Sequence, residues 1–90
     1  MYTRKVTVIN KSGLHARPAT EFVGTASKFK SKITIKKKGQ TNEGNAKSIV
    51  ILLTMAICKG CEIELSAEGE DEKQAVDTLV GLIEKGFGEV

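Results

Sequence analysis

Along this 90-residue chain the apolar positions switch between a period of two and a period of about 3.6, dividing it into seven segments. From Thr3 to Ile9, Val6 and Val8 alternate with Lys5 and Thr7, the pattern of a half-buried strand. Asn10-Lys11-Ser12-Gly13 has loop chemistry. Between Ala16 and Ser27 the apolar positions Ala19, Phe22, Val23 and Ala26 fall at i, i+3, i+4 and i+7, which predicts a helix with one face turned inward. Pro18 fits there because it lies in the first turn, where an N–H has no intrahelical acceptor. A second strand over Lys32–Lys36 puts Ile33 and Ile35 on one face. Lys38-Gly39-Gln40 then turns the chain into a short third strand over Gln40–Glu43. The apolar run from Ala46 to Leu53 reads as a helix with Ile49, Leu52 and Leu53 in the core. Cys61 to Ala67 is the clearest strand, Ile63, Leu65 and Ala67 alternating with Glu62, Glu64 and Ser66. The last helix, Glu72 to Lys85, carries Ala75, Val76, Leu79, Leu82 and Ile83 as its core stripe, with acidic residues at its start and Gly86 at its stop.

The order is βαββαβα, and every strand keeps one polar face. That predicts an α+β fold, an open-faced β-sandwich in which a four-stranded antiparallel sheet carries three helices on one face. With no internal repeat and no linker composition, residues 1–90 are expected to form a single domain. The composition narrows function mainly by exclusion. One His cannot build a His-rich metal site, and no Ser-His-Asp triad is possible without His15 in it. No apolar run reaches the roughly 18 residues of a membrane span, and the first residues hold no signal-peptide core, so no membrane insertion and a cytoplasmic location are expected.

Charge changes the picture more. Residues 1–48 contain 11 Lys/Arg against 2 Asp/Glu, a net of +9, whereas residues 49–90 contain 3 against 9, a net of −6. Such asymmetry points the N-terminal elements toward an anionic partner: a phosphate, a nucleic acid or an acidic protein surface. The runs Lys28-Phe29-Lys30-Ser31-Lys32 and Lys36-Lys37-Lys38 raise the nucleic-acid reading, but the 4% aromatic content offers no stacking platform, and no nucleic-acid partner is expected. Cys58-Lys59-Gly60-Cys61 is a lone CxxC. A zinc site lacks its second ligand pair, and a thioredoxin-type motif follows a strand and opens a helix, the reverse of the order here. The two thiols read as incidental, on a Lys-Gly turn.

The helix that opens at Ala16 gives the chain its most loaded chemistry. His15 stands at or beside its N-cap, where first-turn amides and the helix dipole favour an anion. Arg17 adds a planar fork of donors that suits phosphate oxygens, and Ser12-Gly13 permits close approach. The result is an anion site with an imidazole nucleophile at its centre, a competent phosphoryl acceptor. No metal or cofactor is called for.

Gly13-Leu14-His15-Ala16-Arg17-Pro18-Ala19-Thr20 resembles the active-site signature of the HPr family, the histidine-containing phosphocarriers of the bacterial phosphoenolpyruvate:sugar phosphotransferase system. Asn45-Ala46-Lys47-Ser48-Ile49 is similar to that family's regulatory-serine segment, and Lys59-Gly60-Cys61-Glu62-Ile63 with Ser66-Ala67-Glu68-Gly69 to its last strand and turn. The resemblance covers nearly the whole chain. It implies that His15 accepts a phosphoryl group from phosphorylated enzyme I and passes it to a histidine of an enzyme II A-domain. Arg17 would steady the group, with help from the helix start at Ala16 and Pro18. It implies regulatory phosphorylation at Ser48, with HPr kinase/phosphorylase and a catabolite control protein as further partners, and docking through Thr20, Lys47, Ile49, Val50, Ile51 and Leu53. An HPr-like paralogue serving a regulatory phosphorelay, rather than sugar uptake, is the alternative within the family. The chain departs from the pattern at Val50-Ile51-Leu52-Leu53-Thr54-Met55, where Ile51 replaces an expected glycine. An exposed Val50 or Ile51 would extend an apolar docking or self-association surface.

Overall fold

The computed structural model describes residues 1–89; Val90, the last residue of the expected 1–90 domain, lies outside the described residues. The elements are β1 (Tyr2–Thr7), α1 (Ala16–Ala26), β2 (Lys32–Lys37), β3 (Gly44–Asn45), α2 (Ile49–Thr54), β4 (Glu62–Glu68) and α3 (Glu72–Glu84), followed by a 3-10 turn over Gly86–Gly88. The four strands form one antiparallel sheet in the order β1-β4-β2-β3. The open-faced sandwich is therefore realised in the element order that the periodicity predicts.

One face of the sheet is apolar because the period of two is kept through every long strand. Val6, Ile33, Ile35, Ile63, Leu65 and Ala67 are buried in a common core with Phe22 of α1, Leu52 of α2, and Val76, Leu79 and Ile83 of α3. Tyr2 and Arg4 share the parity of Val6, and both reach Asp77 of α3, at 2.8 Å and 3.1 Å. On the other face stand the charges. Glu64 lies opposite Lys5 of β1 and Lys36 of β2, and Glu68 lies opposite Lys32. The acidic strand is thus flanked by two basic ones, and opposite charges directly across strands stabilise a sheet. Three of the N-terminal cations, Lys5, Lys32 and Lys36, thus have an acidic neighbour across the sheet. The Lys36-Lys37-Lys38 cluster shares in it: Lys38 pairs with Glu62 at 3.2 Å, and the Lys37 ammonium donates to the Ala56 carbonyl at 3.0 Å.

Four expectations shift. The third strand is Gly44–Asn45, not Gln40–Glu43, because its register is set by Ile35 and Thr34 of β2. Pairing continues to Ala46, whose amide donates to the Ile33 carbonyl at 3.0 Å, so α2 starts at Ile49 rather than Ala46. That delay leaves a helix of 6 residues with one inward position. Leu52 is fully buried, but Ile49 and Leu53, expected in the core, are 37% and 44% exposed. In α3, Leu82 is only half-buried, and Val80 takes its place in the core, completing the Val76, Leu79, Val80, Ile83 stripe.

Candidate functional site

Asn10, fully buried, anchors the loop before α1. Its side-chain amide donates to the Gly13 carbonyl at 2.9 Å, and the Gly13 N–H donates back to the Asn10 carbonyl at 3.1 Å, closing a tight turn. Gly13 has a φ of 64° and sits so close to the 57–58 segment that a Cβ would stand 2.5 Å from the Ile57 carbonyl oxygen. No side chain fits there. The next amide, Leu14 N–H, donates to that same Ile57 carbonyl at 2.9 Å, and the Leu14 side chain is fully buried. His15 therefore leaves a backbone pinned on two sides.

His15 is the N-cap residue of α1, in extended conformation (φ −128°, ψ 164°), with its side chain half-buried and making no capping hydrogen bond. The imidazole is thus not spent on closing the helix. Ala16 follows with a φ of 50°, the left-handed region that costs an alanine roughly 1 kcal/mol. The N–H groups of Ala16 and Arg17 belong to the first turn, which has no intrahelical acceptors, and Pro18 has none to leave unpaired. Arg17 is exposed, and Pro18 and Ala19 are buried beneath the turn. A half-buried ring with no capping bond, an exposed guanidinium and the start of a helix thus fall within three consecutive residues, an arrangement suited to an anion.

Glu89 belongs to this neighbourhood, although sequence separation hides it. Its carboxylate accepts from Asn10 Nδ2 at 3.0 Å, from the Ser12 amide at 3.2 Å and from Ser12 Oγ at 3.1 Å. The Asn10 and Ser12 hydrogen bonds hold its carboxyl below the usual range, with the Arg17 charge adding a smaller contribution. No local signal marks such a residue. The Ala16 conformation is equally silent, since a left-handed residue announces itself in sequence only as Gly, Asn or Asp. The Asn-x-x-Gly spacing of 10–13 was the one readable trace of the anchor.

The second group of expected residues lies on and beside α2. Ser48 is its N-cap, and its hydroxyl accepts from the Ile51 amide at 3.3 Å. Val50 is 65% exposed, and with Ile49, Ile51 and Leu53 it makes an uncovered apolar face. Ile51 finds room because it packs over Gly44, where a Cβ would stand 2.6 Å from its Cγ2. Lys47, expected to face partners, is half-buried, and its ammonium donates to the Phe29 carbonyl at 2.6 Å. Thr20, exposed on α1, leans its hydroxyl toward the Ala16 carbonyl at 3.4 Å. Among the described residues no three His, Cys, Asp or Glu side chains cluster as metal ligands, and no helix is long and apolar enough to cross a membrane.

The sequence model of the phosphotransferase-system HPr component phosphorylation site matches residues 2–85. The chain belongs to the HPr family. It is 46% identical over 83 residues to the phosphocarrier protein HPr of Haemophilus influenzae, covering 92% of this chain and 95% of that one. It is also 41% identical over 85 residues to the HPr-like protein Crh of Bacillus subtilis, covering 94% and 98%. Among solved structures, HPr of Thermoanaerobacter tengcongensis superposes with a TM-score of 0.94 at 47% identity, over 100% of this chain and 99% of that one. HPr proteins and HPr-like Crh proteins are thus both relatives at comparable identity.

Proposed function

We propose that this HPr-family protein is a phosphoryl carrier whose working group is His15. A ring nitrogen of His15 attacks the phosphorus held by phosphorylated enzyme I. The bond to the donor nitrogen breaks as the new N–P bond forms, and the group later leaves in the same way to a histidine of an enzyme II A-domain. Such transfers ask the protein for positioning and charge stabilisation. The observation that carries this reading is His15 at the N-cap of α1, its ring uncommitted, with Arg17 and two first-turn amides beside it. Reversible transfer also requires that the group is not held too tightly, and an exposed site meets that condition. On this reading residues 1–90 work as one HPr-like domain in the cytoplasm. Partners dock across the α1 start, through Thr20, and the apolar face of α2, through Ile49, Val50, Ile51 and Leu53.

The test is incubation with phosphoenolpyruvate and enzyme I. The wild type gains the mass of one phosphate in an acid-labile linkage, and His15→Ala gains none. A wild type that stays unmodified ends the carrier reading.

Ser48 is proposed as the regulatory phosphorylation site, supported by its place as N-cap of α2 beside the apolar face. A phosphate there would sit at a helix start while adding charge to a docking surface. With ATP and HPr kinase, Ser48 gains an acid-stable phosphate that Ser48→Ala abolishes; a wild type left unmodified removes the proposal. Relatives named as a phosphocarrier, HPr, and as HPr-like, Crh, both match the chain, and the carrier chemistry proposed here would serve either sugar uptake or a regulatory relay. His15 speaks against a purely regulatory relative without an acceptor, and both of these roles use it.

A further inference from the structure

The Cys58–Cys61 pair takes no part in the chemistry above, yet its geometry is specific. The Cys61 amide donates to the Cys58 carbonyl at 3.0 Å, and Gly60 has a φ of 92°, so residues 58–61 form a β-turn with the glycine where a positive φ is required. A hydrogen-bonded β-turn brings its end Cα atoms within about 7 Å, the span that a disulfide bridges. The two sulfurs already stand 3.6 Å apart, and the Cys58 side chain is exposed. The Cys58 N–H points at Cys61 Sγ from 3.4 Å, and this bond, before any other influence, holds the Cys61 thiol below its usual range. An amide aimed at a sulfur favours its thiolate, the reacting form.

The turn is also stitched to the loop that carries His15. The Ile57 carbonyl, next to Cys58, holds the Leu14 amide, and the Gly13 backbone presses against Cys58 Cα. On the other side the Gly60 amide donates to the Val8 carbonyl, and Val8 donates to the Cys61 carbonyl, both at 2.8 Å.

We propose that Cys58 and Cys61 form a reversible intramolecular disulfide whose closure stiffens the backbone beneath the His15 loop. The oxidant class is a small-molecule disulfide. The Cys61 thiolate attacks one of its sulfurs, forming a mixed disulfide and expelling one small thiolate. Cys58, losing its proton to solvent, then attacks Cys61 Sγ and expels the second. Two protein thiols are oxidised, and one small disulfide is reduced to two thiols. Side-chain rotation that draws the sulfurs together by about 1.5 Å suffices for the bond.

The test uses the full chain with oxidised glutathione. The expected product is monomeric, lighter by two hydrogens, inert to iodoacetamide and restored by dithiothreitol, while Cys58→Ser traps the glutathione adduct on Cys61. Stable adducts on both cysteines, an intermolecular dimer, or no reaction would overturn the site. Hydrogen exchange at the Leu14 amide is expected to slow by about tenfold in the oxidised form, and unchanged exchange overturns the link to the His15 loop. Neither readout depends on phosphoryl transfer. The expected difference in His15 phosphorylation between the two redox forms does rest on the carrier reading, and a reduced protein that accepts no phosphate would defeat that reading alone.

Discussion

Ala16 carries the conformational strain of the site. An alanine at φ 50° lies outside its preferred backbone region, while glycine reaches that conformation freely. Ala16→Gly is therefore expected to leave stability unchanged or raise it by up to about 0.5 kcal/mol, after allowing for glycine's greater unfolded-state freedom. Urea unfolding checks it, and a loss of stability would mean that the conformation is not strained. Asp71 makes the other residue-scale prediction. As N-cap of α3 it makes no side-chain capping bond; its carboxylate instead accepts from Ser31 Oγ and from the amides of Lys30 and Ser31, joining the start of α3 to the entry of β2. The Ser31 hydroxyl first, then the Lys30 amide, lower its pKa from the ordinary 3.8 to about 2. A carboxyl depressed in the folded state adds stability that is complete above its unfolded pKa and disappears as pH falls toward its folded value. Between about pH 4 and pH 2 the wild type should lose more stability than Asp71→Asn, as denaturant midpoints across that window would show. An equal loss in both proteins would count against the three bonds. His15 could be found from residue types alone, but Ala16 and Asp71 could not, because their roles lie in a torsion angle and in contacts about 40 positions away.

At the scale of elements, strong periodicity survived folding and weak periodicity did not. Strands β1, β2 and β4 and helices α1 and α3 each repeat their pattern often enough to be placed, and only the edge of the α3 stripe moves, from Leu82 to Val80. In the segment between β2 and β4, the apolar run of α2 is nearly continuous and has no period to read. What decides it is β3, whose 2 residues pair where β2 allows and so fix where the helix begins. The outcome can be tested with two truncations. Leu52→Ala should cost about 2–5 kcal/mol, since it empties a fully buried position. Val50→Ala, on the exposed side of the same helix, should stay within about 0.5 kcal/mol. Comparable losses at the two positions would mean that α2 is rotated from the orientation described. The central strand gives a matching test on the open face. Glu64→Lys would face Lys5 and Lys36 with a third cation, costing about 1 kcal/mol at low ionic strength and less in concentrated salt.

Over the whole molecule, the +9 and −6 halves are interleaved in the sheet, because β4 enters it between β1 and β2. A linear charge count cannot register that interleaving, and the same blindness hid Glu89. The chain returns from α3 through a 3-10 turn, with Phe87 at φ 53°, and brings Glu89 back to the loop that precedes His15. Three donors from Asn10 and Ser12 converge on one carboxylate. The C-terminal segment is thereby a brace for the site rather than a tail. Glu89→Ala should leave the core amides of β4 protected while speeding exchange at Ser12 and Gly13, whose turn it holds. Glu89→Gln should fall between the two, because a neutral amide still accepts but without the charge that shortens and strengthens such bonds. Acid should imitate the alanine variant. The carboxyl is depressed in the folded protein, so its brace is complete above its ordinary pKa of 4.5 and weakens as pH falls through the lower folded value. Exchange at Ser12 and Gly13 that ignores both substitution and acid would show that the loop is held by Asn10 alone.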